Sequence, residues 1–229
     1  MTPVLVVIQA RMGSTRLPGK VLADLGGRPS LALQLARLAP LAHATVVVAT
    51  SDEARDDAVA ALAAEHDTPV VRGPESDVLT RFALALEAHP ADEVVRLTAD
   101  CPLTDPGLVE AAVALRRLSG ADYAGNTPIR TFPDGLDVEV MTADALRTAV
   151  AEATDHLDRE HVTRFLLRRP DRFRLANLRG PVSLADERWT VDTQDDLDRV
   201  RAIVGSLDDP LTASWLDVLA VAGATTRPT

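Results

Sequence analysis

Arg11, Arg16 and Lys20 sit in one short loop with Gly13, Ser14, Pro18 and Gly19, inside the stretch IQARMGSTRLPGKVL at residues 8–22. Small residues let backbone N–H groups approach an anion closely, and long basic side chains neutralise it from several directions, so this composition suits a phosphate chain. Lys20 is the lone lysine among 24 basic residues. An ammonium is a compact point charge where a guanidinium is a planar fork, so the retained lysine points to a site that needs one donor group among phosphate oxygens. Asp100, in LTADCPL, and Asp192, in WTVDT, each follow an apolar β-branched run. Two carboxylates at the carboxyl ends of strands in one sheet can share a cation, and Mg²⁺ takes one or two such groups plus phosphate oxygens and water.

Two better-known phosphate loops are excluded. A Walker A loop has four residues between its first glycine and Gly-Lys, followed by Ser or Thr; here residues 14–18 intervene and Val21 follows Lys20. No G-x-G-x-x-G follows the first strand, which removes the dinucleotide fingerprint. Cys101 has no His partner to make it a nucleophile and reads as a packing residue, and the five His show no metal-ligand spacing.

The elements that must hold these groups alternate. Short apolar runs predict strands at residues 4–10, 45–49, 69–71 and 94–98. Helical spacing predicts helices at 30–38, from a cap at Ser51 or Asp52 to 66, from Ser76 to about 87, and over 106–118. Strand–helix alternation of this kind gives a three-layer α/β/α domain with a mostly parallel, doubly wound sheet, and ligands collect at the carboxyl edge of its strands. From residue 121 the rhythm changes: 123–129 reads as irregular and 132–135 as a turn. Residues 136–141 read as an alternating strand with Asp137 and Glu139 on one face. Thr142 caps a helix to 153, Asp158 caps another to 168, and 173–177 and 188–191 read as strands. Thr193 with Asp196 resembles a capping box opening a helix to about 204. The chain reads as a single domain over 1–229, with its core in 1–205 and a peripheral helix and frayed tail in 206–229.

The net charge of −10 argues against a nucleic-acid surface and makes a cluster of cations more telling of a small anion. Neither a membrane span nor a secretory leader is legible, and a single Cys forms no internal disulfide; a cytoplasmic location is the expectation.

The loop, together with RLTADCPLTDP, PDGLDVEVMT, REHVT and WTVDTQDDL, resembles the cytidylyltransferases related to acylneuraminate and 3-deoxy-manno-octulosonate cytidylyltransferases, within them the spore-coat polysaccharide branch. The resemblance implies a nucleotide-diphospho-sugar transferase-like fold and transfer of CMP from CTP to a small anionic or sugar-like acceptor with release of pyrophosphate. It implies that Arg11, Arg16 and Lys20 act on the phosphates and that Ala10, Arg11, Gly13, Ser14, Lys20, Arg72 and Asp77 contact the nucleotide. Asp100 and Asp192 would bind Mg²⁺, and Asp137, Glu139 and His161 the acceptor. A homodimer is also implied, and the broken rhythm of 133–141 supplies a physical motive: an excursion whose Leu136, Val138 and Val140 would be buried only against another chain. Two other readings stand beside it: a glycosyltransferase of the same architecture, and a nucleotide-binding domain without catalysis.

Overall fold

The structure, a computed structural model, describes residues 3–225. One seven-stranded sheet runs through the chain in the order β3-β2-β1-β4-β6-β5-β7. Its strands are β1 (Val4–Gln9), β2 (Ala44–Ser51), β3 (Val70–Gly73), β4 (Glu93–Thr98), β5 (Tyr123–Gly125), β6 (Glu139–Thr142) and β7 (Leu175–Asn177). β3, β2, β1 and β4 are parallel, β6 is antiparallel to both β4 and β5, and β7 is parallel to β5. The expected mostly parallel α/β sheet is therefore present, with one reversed strand. The strand order reverses between β1 and β4, and that crevice is where ligands of such sheets bind.

The helices are α1 (Ser30–Leu38), α2 (Asp57–Glu65), α3 (Val78–Ala88), α4 (Pro106–Ser119), α5 (Ala143–Glu152), α6 (His156–Glu160), α7 (Arg164–Leu167), α8 (Gln194–Ser206) and α9 (Trp215–Thr225). Period-two alternation along β1 divides the core between two faces. Val6 and Ile8 face a cluster with Leu31, Leu62, Leu108, Val200 and Val218, so α1, α2, α4, α8 and α9 cover that side. Leu5 and Val7 face Val78, Phe82, Leu146 and Phe165, which brings α3, α5 and α7 to the other. Strands buried on both faces read as apolar runs, which is why β1 and the middle of β2 are visible in the sequence.

Several expectations change. The helix after β2 starts at Asp57, past a 3₁₀ turn at Ala54–Asp56, rather than at Ser51 or Asp52. Asp77, not Ser76, caps α3. The helix expected from Asp158 to 168 is capped by Asp155 and broken into α6 and α7 at Val162, whose φ of +47° ends helical geometry. Residues 123–125 pair as a strand, whereas 188–191 form no strand and carry only an isolated bridge, Asp134 with Arg188. Thr142 and the Thr193–Asp196 capping box stand as read. The peripheral C-terminal helix is α9, and the frayed end expected after it lies at 226–229, outside the described residues.

The excursion argument is also corrected. Leu136, Val138 and Val140 are 0% exposed within this chain, inside the same cluster as Val6 and Ile8, so they need no second subunit to bury them. Val138→Asp should accordingly destabilise the subunit itself by roughly 4 kcal/mol or more, the cost of an unpaired buried charge. Thermal melting checks this; a variant that melts like the wild type would contradict the packing.

Candidate active site

The loop after β1 turns at Gly19, whose φ of +74° is the left-handed conformation that glycine adopts without strain. A 3₁₀ turn, Lys20–Leu22, follows at once, and Val21 anchors it in the core at 2% exposure. Lys20 is thereby directed across the end of the sheet to both predicted carboxylates: its Nζ lies 3.1 Å from Asp100 Oδ2 and 2.8 Å from Asp192 Oδ1. Arg16 reaches the same Asp192 oxygen at 3.2 Å.

Asp100 and Asp192 are far apart in sequence and are joined by backbone. The Asp100 carbonyl accepts the Val191 N–H at 2.8 Å and the Thr190 hydroxyl at 3.1 Å, while the Asp134 carbonyl accepts the N–H groups of Trp189 and Thr190 at 2.6 and 3.1 Å. The segment can lie this close because residue 135 is Gly: a Cβ there would stand 2.5 Å from the backbone of Trp189 and Thr190, and its φ is +113°. Chain 188–192 is thus laid along the sheet end with Asp192 facing Asp100.

Each carboxylate has one oxygen committed and one aimed inward. Asp100 Oδ1 accepts the Thr98 hydroxyl, and Asp192 Oδ2 accepts Arg188 Nη2 at 2.9 Å. The two remaining oxygens converge on the Lys20 ammonium. Burial pushes the Asp192 pKa up, but hydrogen bonds and charge from Lys20, Arg188 and Arg16 outweigh it and hold the group below the usual carboxylate range. Two inward carboxylate oxygens beside a phosphate loop are a donor set that fits Mg²⁺ completed by phosphate oxygens and water. Among the described residues no group of three or more His, Cys, Asp or Glu is placed to hold a metal without such help.

Around these groups lies a pocket of about 360 Å³ lined by Gln9, Ala10, Arg11, Gly13, Ser14, Thr15, Arg16, Lys20, Thr98, Asp100, His161 and Asp192 among others. Among the described residues, the N–H groups of Arg11, Gly13, Thr15 and Arg16 meet no protein acceptor, so they are available to an anion. Ser14 N–H is spent on the Met12 carbonyl at 2.9 Å. His161 enters the pocket wall because the left-handed Val162 buries its own side chain in the second core cluster and turns the preceding residue outward. A β-branched residue at positive φ is strained, and strain of this kind clusters at functional sites.

Four expected contacts are placed elsewhere. Arg72 is committed to the Ser51 and Glu53 carbonyls at 2.9 Å each and to Asp57, and does not line the pocket. Asp77 caps α3, accepting Thr80 N–H at 3.0 Å and Arg159 Nε at 2.7 Å. Asp137 precedes β6 and is gripped by Arg130 through both oxygens. Glu139 is 4% exposed; its Oε1 accepts from Tyr123, Thr127 and Thr163 at 2.9, 3.2 and 2.7 Å, and its Oε2 accepts from Arg96. With three donors on Oε1, Arg96 on Oε2 and only 4% exposure, the carboxylate is enclosed by this chain's own partners rather than open to an acceptor hydroxyl. Glu139 instead secures Thr163, two residues after His161, and Arg96, which donates to Gln9 Oε1 at 3.1 Å at the pocket edge. Cys101 is buried, and burial pushes its thiol pKa well up, in keeping with a packing role.

Sequence reasoning missed Arg188, Gln9 and Thr98. Polar residues at the last position of β1 and β4 are the signal that would have found the latter two. Arg188 also binds Asp196 at 2.9 Å and pairs with Asp134. Burial raises the Asp196 pKa, but hydrogen bonds from Arg188, Thr193 and the backbone of Asp192 and Thr193 outweigh it and hold it at about 2. With the folded value below the unfolded value of about 3.9, the stabilisation is complete above pH ~4 and is lost as pH falls through about 2. The stability difference between wild type and Asp196→Asn should therefore be largest above pH ~4 and shrink towards pH ~2 in denaturant titrations. A pH-independent difference would show that the charge is not what matters.

The chain is similar to known proteins over most of its length. A cytidylyltransferase family model matches residues 5–203. The spore coat polysaccharide biosynthesis protein SpsF of Bacillus subtilis (strain 168) is 35% identical over 211 residues, covering 89% of this chain and 87% of that protein. The 3-deoxy-manno-octulosonate cytidylyltransferase of Anaeromyxobacter dehalogenans (strain 2CP-C) is 28% identical, covering 90% of this chain and 99% of that one. Among solved structures, a cytidylyltransferase from Leptospira borgpetersenii superposes with a TM-score of 0.93 at 28% identity, covering 99% of this chain and 98% of that one. A CMP:2-keto-3-deoxy-manno-octonic acid synthetase complexed with CTP shares the fold, at a TM-score of 0.68 and 20% identity, with 89% and 99% coverage. With the matched region running from β1 into α8, and so through the loop, both carboxylates and the strand-order reversal, the chain belongs to the cytidylyltransferase family.

Proposed function

We propose that the protein transfers CMP from CTP to a small anionic or sugar-like acceptor, and that it requires Mg²⁺. The observation that carries this reading is the convergence of Lys20, Asp100 and Asp192 beneath a loop with unpaired N–H groups. An acceptor oxygen attacks the α-phosphorus; the bond from that phosphorus to the bridging oxygen breaks, pyrophosphate leaves with the electron pair, and the acceptor's proton passes to solvent. Such chemistry asks for positioning and charge neutralisation more than for covalent help.

Asp100 and Asp192 are the residues that would hold Mg²⁺, which when bound supplies charge neutralisation at the phosphate and acidifies the attacking hydroxyl. Arg11, Arg16 and Lys20 neutralise the triphosphate and the departing pyrophosphate, and the free N–H groups of Gly13, Thr15 and Arg16 orient it. His161, which also lines the pocket, is the residue offered to the acceptor.

Cytidine rests on the family and on the relatives' described activity. A glycosyltransferase of the same architecture is disfavoured by a loop with three cations, more than a sugar diphosphate needs. A domain without catalysis is disfavoured by the retention of both carboxylates and the lysine between them. The deciding experiment measures pyrophosphate release from CTP across a panel of sugar acids, sugar phosphates and alditol phosphates, with calorimetry of all four nucleoside triphosphates in parallel. Equal affinity for the four would remove cytidine, and release with no member of the panel would argue against transfer to such acceptors. The expected homodimer has no remaining packing argument and rests on family resemblance; a light-scattering mass near 24.5 kDa would sink it.

A further inference from the structure

The anion loop hangs on a single peptide. The Met12 carbonyl accepts the N–H groups of Ser14 and Gly19 at 2.9 and 3.1 Å, which closes the loop on itself. The Met12 N–H donates to Oδ1 of Asp56 at 2.7 Å, which ties that closed loop to the neighbouring strand. Asp56 ends the 3₁₀ turn after β2, and its other oxygen accepts the Ser51 N–H at 3.3 Å and the Ser51 hydroxyl.

Asp56 is 0% exposed, and among the described residues no Lys or Arg forms an ion pair with it. A buried carboxylate without a contacting cation is costly, and its hydrogen bonds from Met12 and Ser51 offset that cost only in part. Its negative charge beneath an anion site also works against phosphate binding. What it supplies instead is geometry. With the Met12 N–H turned inward to Asp56 and the Met12 carbonyl capped by two donors, the N–H groups of Gly13, Thr15 and Arg16 are left unpaired beside the pocket.

We infer that Asp56 is a positioning residue for polyphosphate binding: it holds the loop in its anion-receiving conformation before the ligand arrives, so that binding need not order it. This rests on reading the loop as the triphosphate site. It separates geometry from charge, because Asp56→Asn removes the repulsive charge and keeps an oxygen for the Met12 N–H; the new amide donates to the Ser51 hydroxyl, and only the long Ser51 N–H bond of 3.3 Å is given up. Asp56→Ala removes both.

The test is calorimetry with inorganic tripolyphosphate and, separately, CTP, well below the melting temperature of every variant. Asp56→Ala should bind tripolyphosphate about 30-fold more weakly or worse, and Asp56→Asn should recover most of that loss. Ser51→Ala, which removes the hydroxyl and leaves only the Ser51 N–H on that carboxylate oxygen, should cost about fivefold and serves if Asp56→Ala does not fold. Leu146→Ala, a core truncation in α5 on the face of the sheet opposite the cluster that anchors the loop through Val21, controls for lost stability and should bind as wild type does. The inference is overturned if Asp56→Ala and Ser51→Ala lower only the melting temperature with affinity within threefold of wild type, or if the wild type does not bind tripolyphosphate. Tripolyphosphate results as expected, with no preference for CTP among nucleotides, would sink the cytidine reading and leave Asp56 in its role.

Discussion

Asp100→Asn and Asp192→Asn should each lower turnover by about 10²–10³-fold or more, the scale of losing one preorganised electrostatic partner in a water-poor site. The assay is pyrophosphate release from CTP with whichever acceptor the panel identifies. An amide keeps the size of the carboxylate and one acceptor oxygen, so the change is chiefly in charge. Stability should respond unequally. Repulsion between the two carboxylates would make both substitutions neutral or stabilising, but Lys20 lies between them. Asp192 also engages Arg16 and Arg188, so Asp192→Asn should cost about 1–3 kcal/mol. Asp100→Asn should cost less, since its side-chain partners are Lys20, Thr98 and Cys101. A variant that keeps turnover would remove that carboxylate from the metal assignment, and one that unfolds would mark it as a structural brace.

Lys20→Arg should lower turnover by about 10²-fold with the fold intact. The side chain is 12% exposed and its backbone is pinned between left-handed Gly19 and buried Val21, so a longer planar fork has little freedom to place one donor where Nζ sits. A guanidinium would also grip both carboxylates as a fixed fork, where the ammonium's flexible stem allows it to move towards phosphate. Lys20→Met tests the same point from the other side. With the ammonium gone, Asp100 Oδ2 has lost its cation and Asp192 Oδ1 keeps only the exposed Arg16, and Mn²⁺ should bind the nucleotide-free variant at least about tenfold more tightly than the wild type. Electron paramagnetic resonance of free Mn²⁺ reads this directly. Wild-type turnover in Lys20→Arg would dismiss the need for a point charge, and unchanged Mn²⁺ affinity in Lys20→Met would show that the two oxygens are not a cation site.

What was legible in the sequence was local. The apolar run at residues 4–8 marked a central strand because burial on both faces leaves no polar alternation to obscure it, and the β-branched pair Val94-Val95 with Leu97 marked another despite Arg96. Thr193 with Asp196, and Thr142, marked helix starts because a cap bonds to N–H groups within three residues. The Gly/Arg/Lys loop and two aspartates after strands were readable as chemistry for the same reason: type and local context sufficed. Tertiary structure decided everything that depends on partners distant in the chain. Arg72 and Asp77 look free in sequence and are spent on Asp57 and Arg159. Glu139 looks like half of a solvated pair and is enclosed by four partners drawn from three other segments. Leu136, Val138 and Val140 look like an orphaned strand because the helices that cover them lie elsewhere in the chain. Lys20 was singled out from composition and from its loop, but its place between Asp100 and Asp192 follows from the Asp100 carbonyl holding the Val191 N–H, a backbone bond that any residue type can make and that therefore leaves no mark in the sequence.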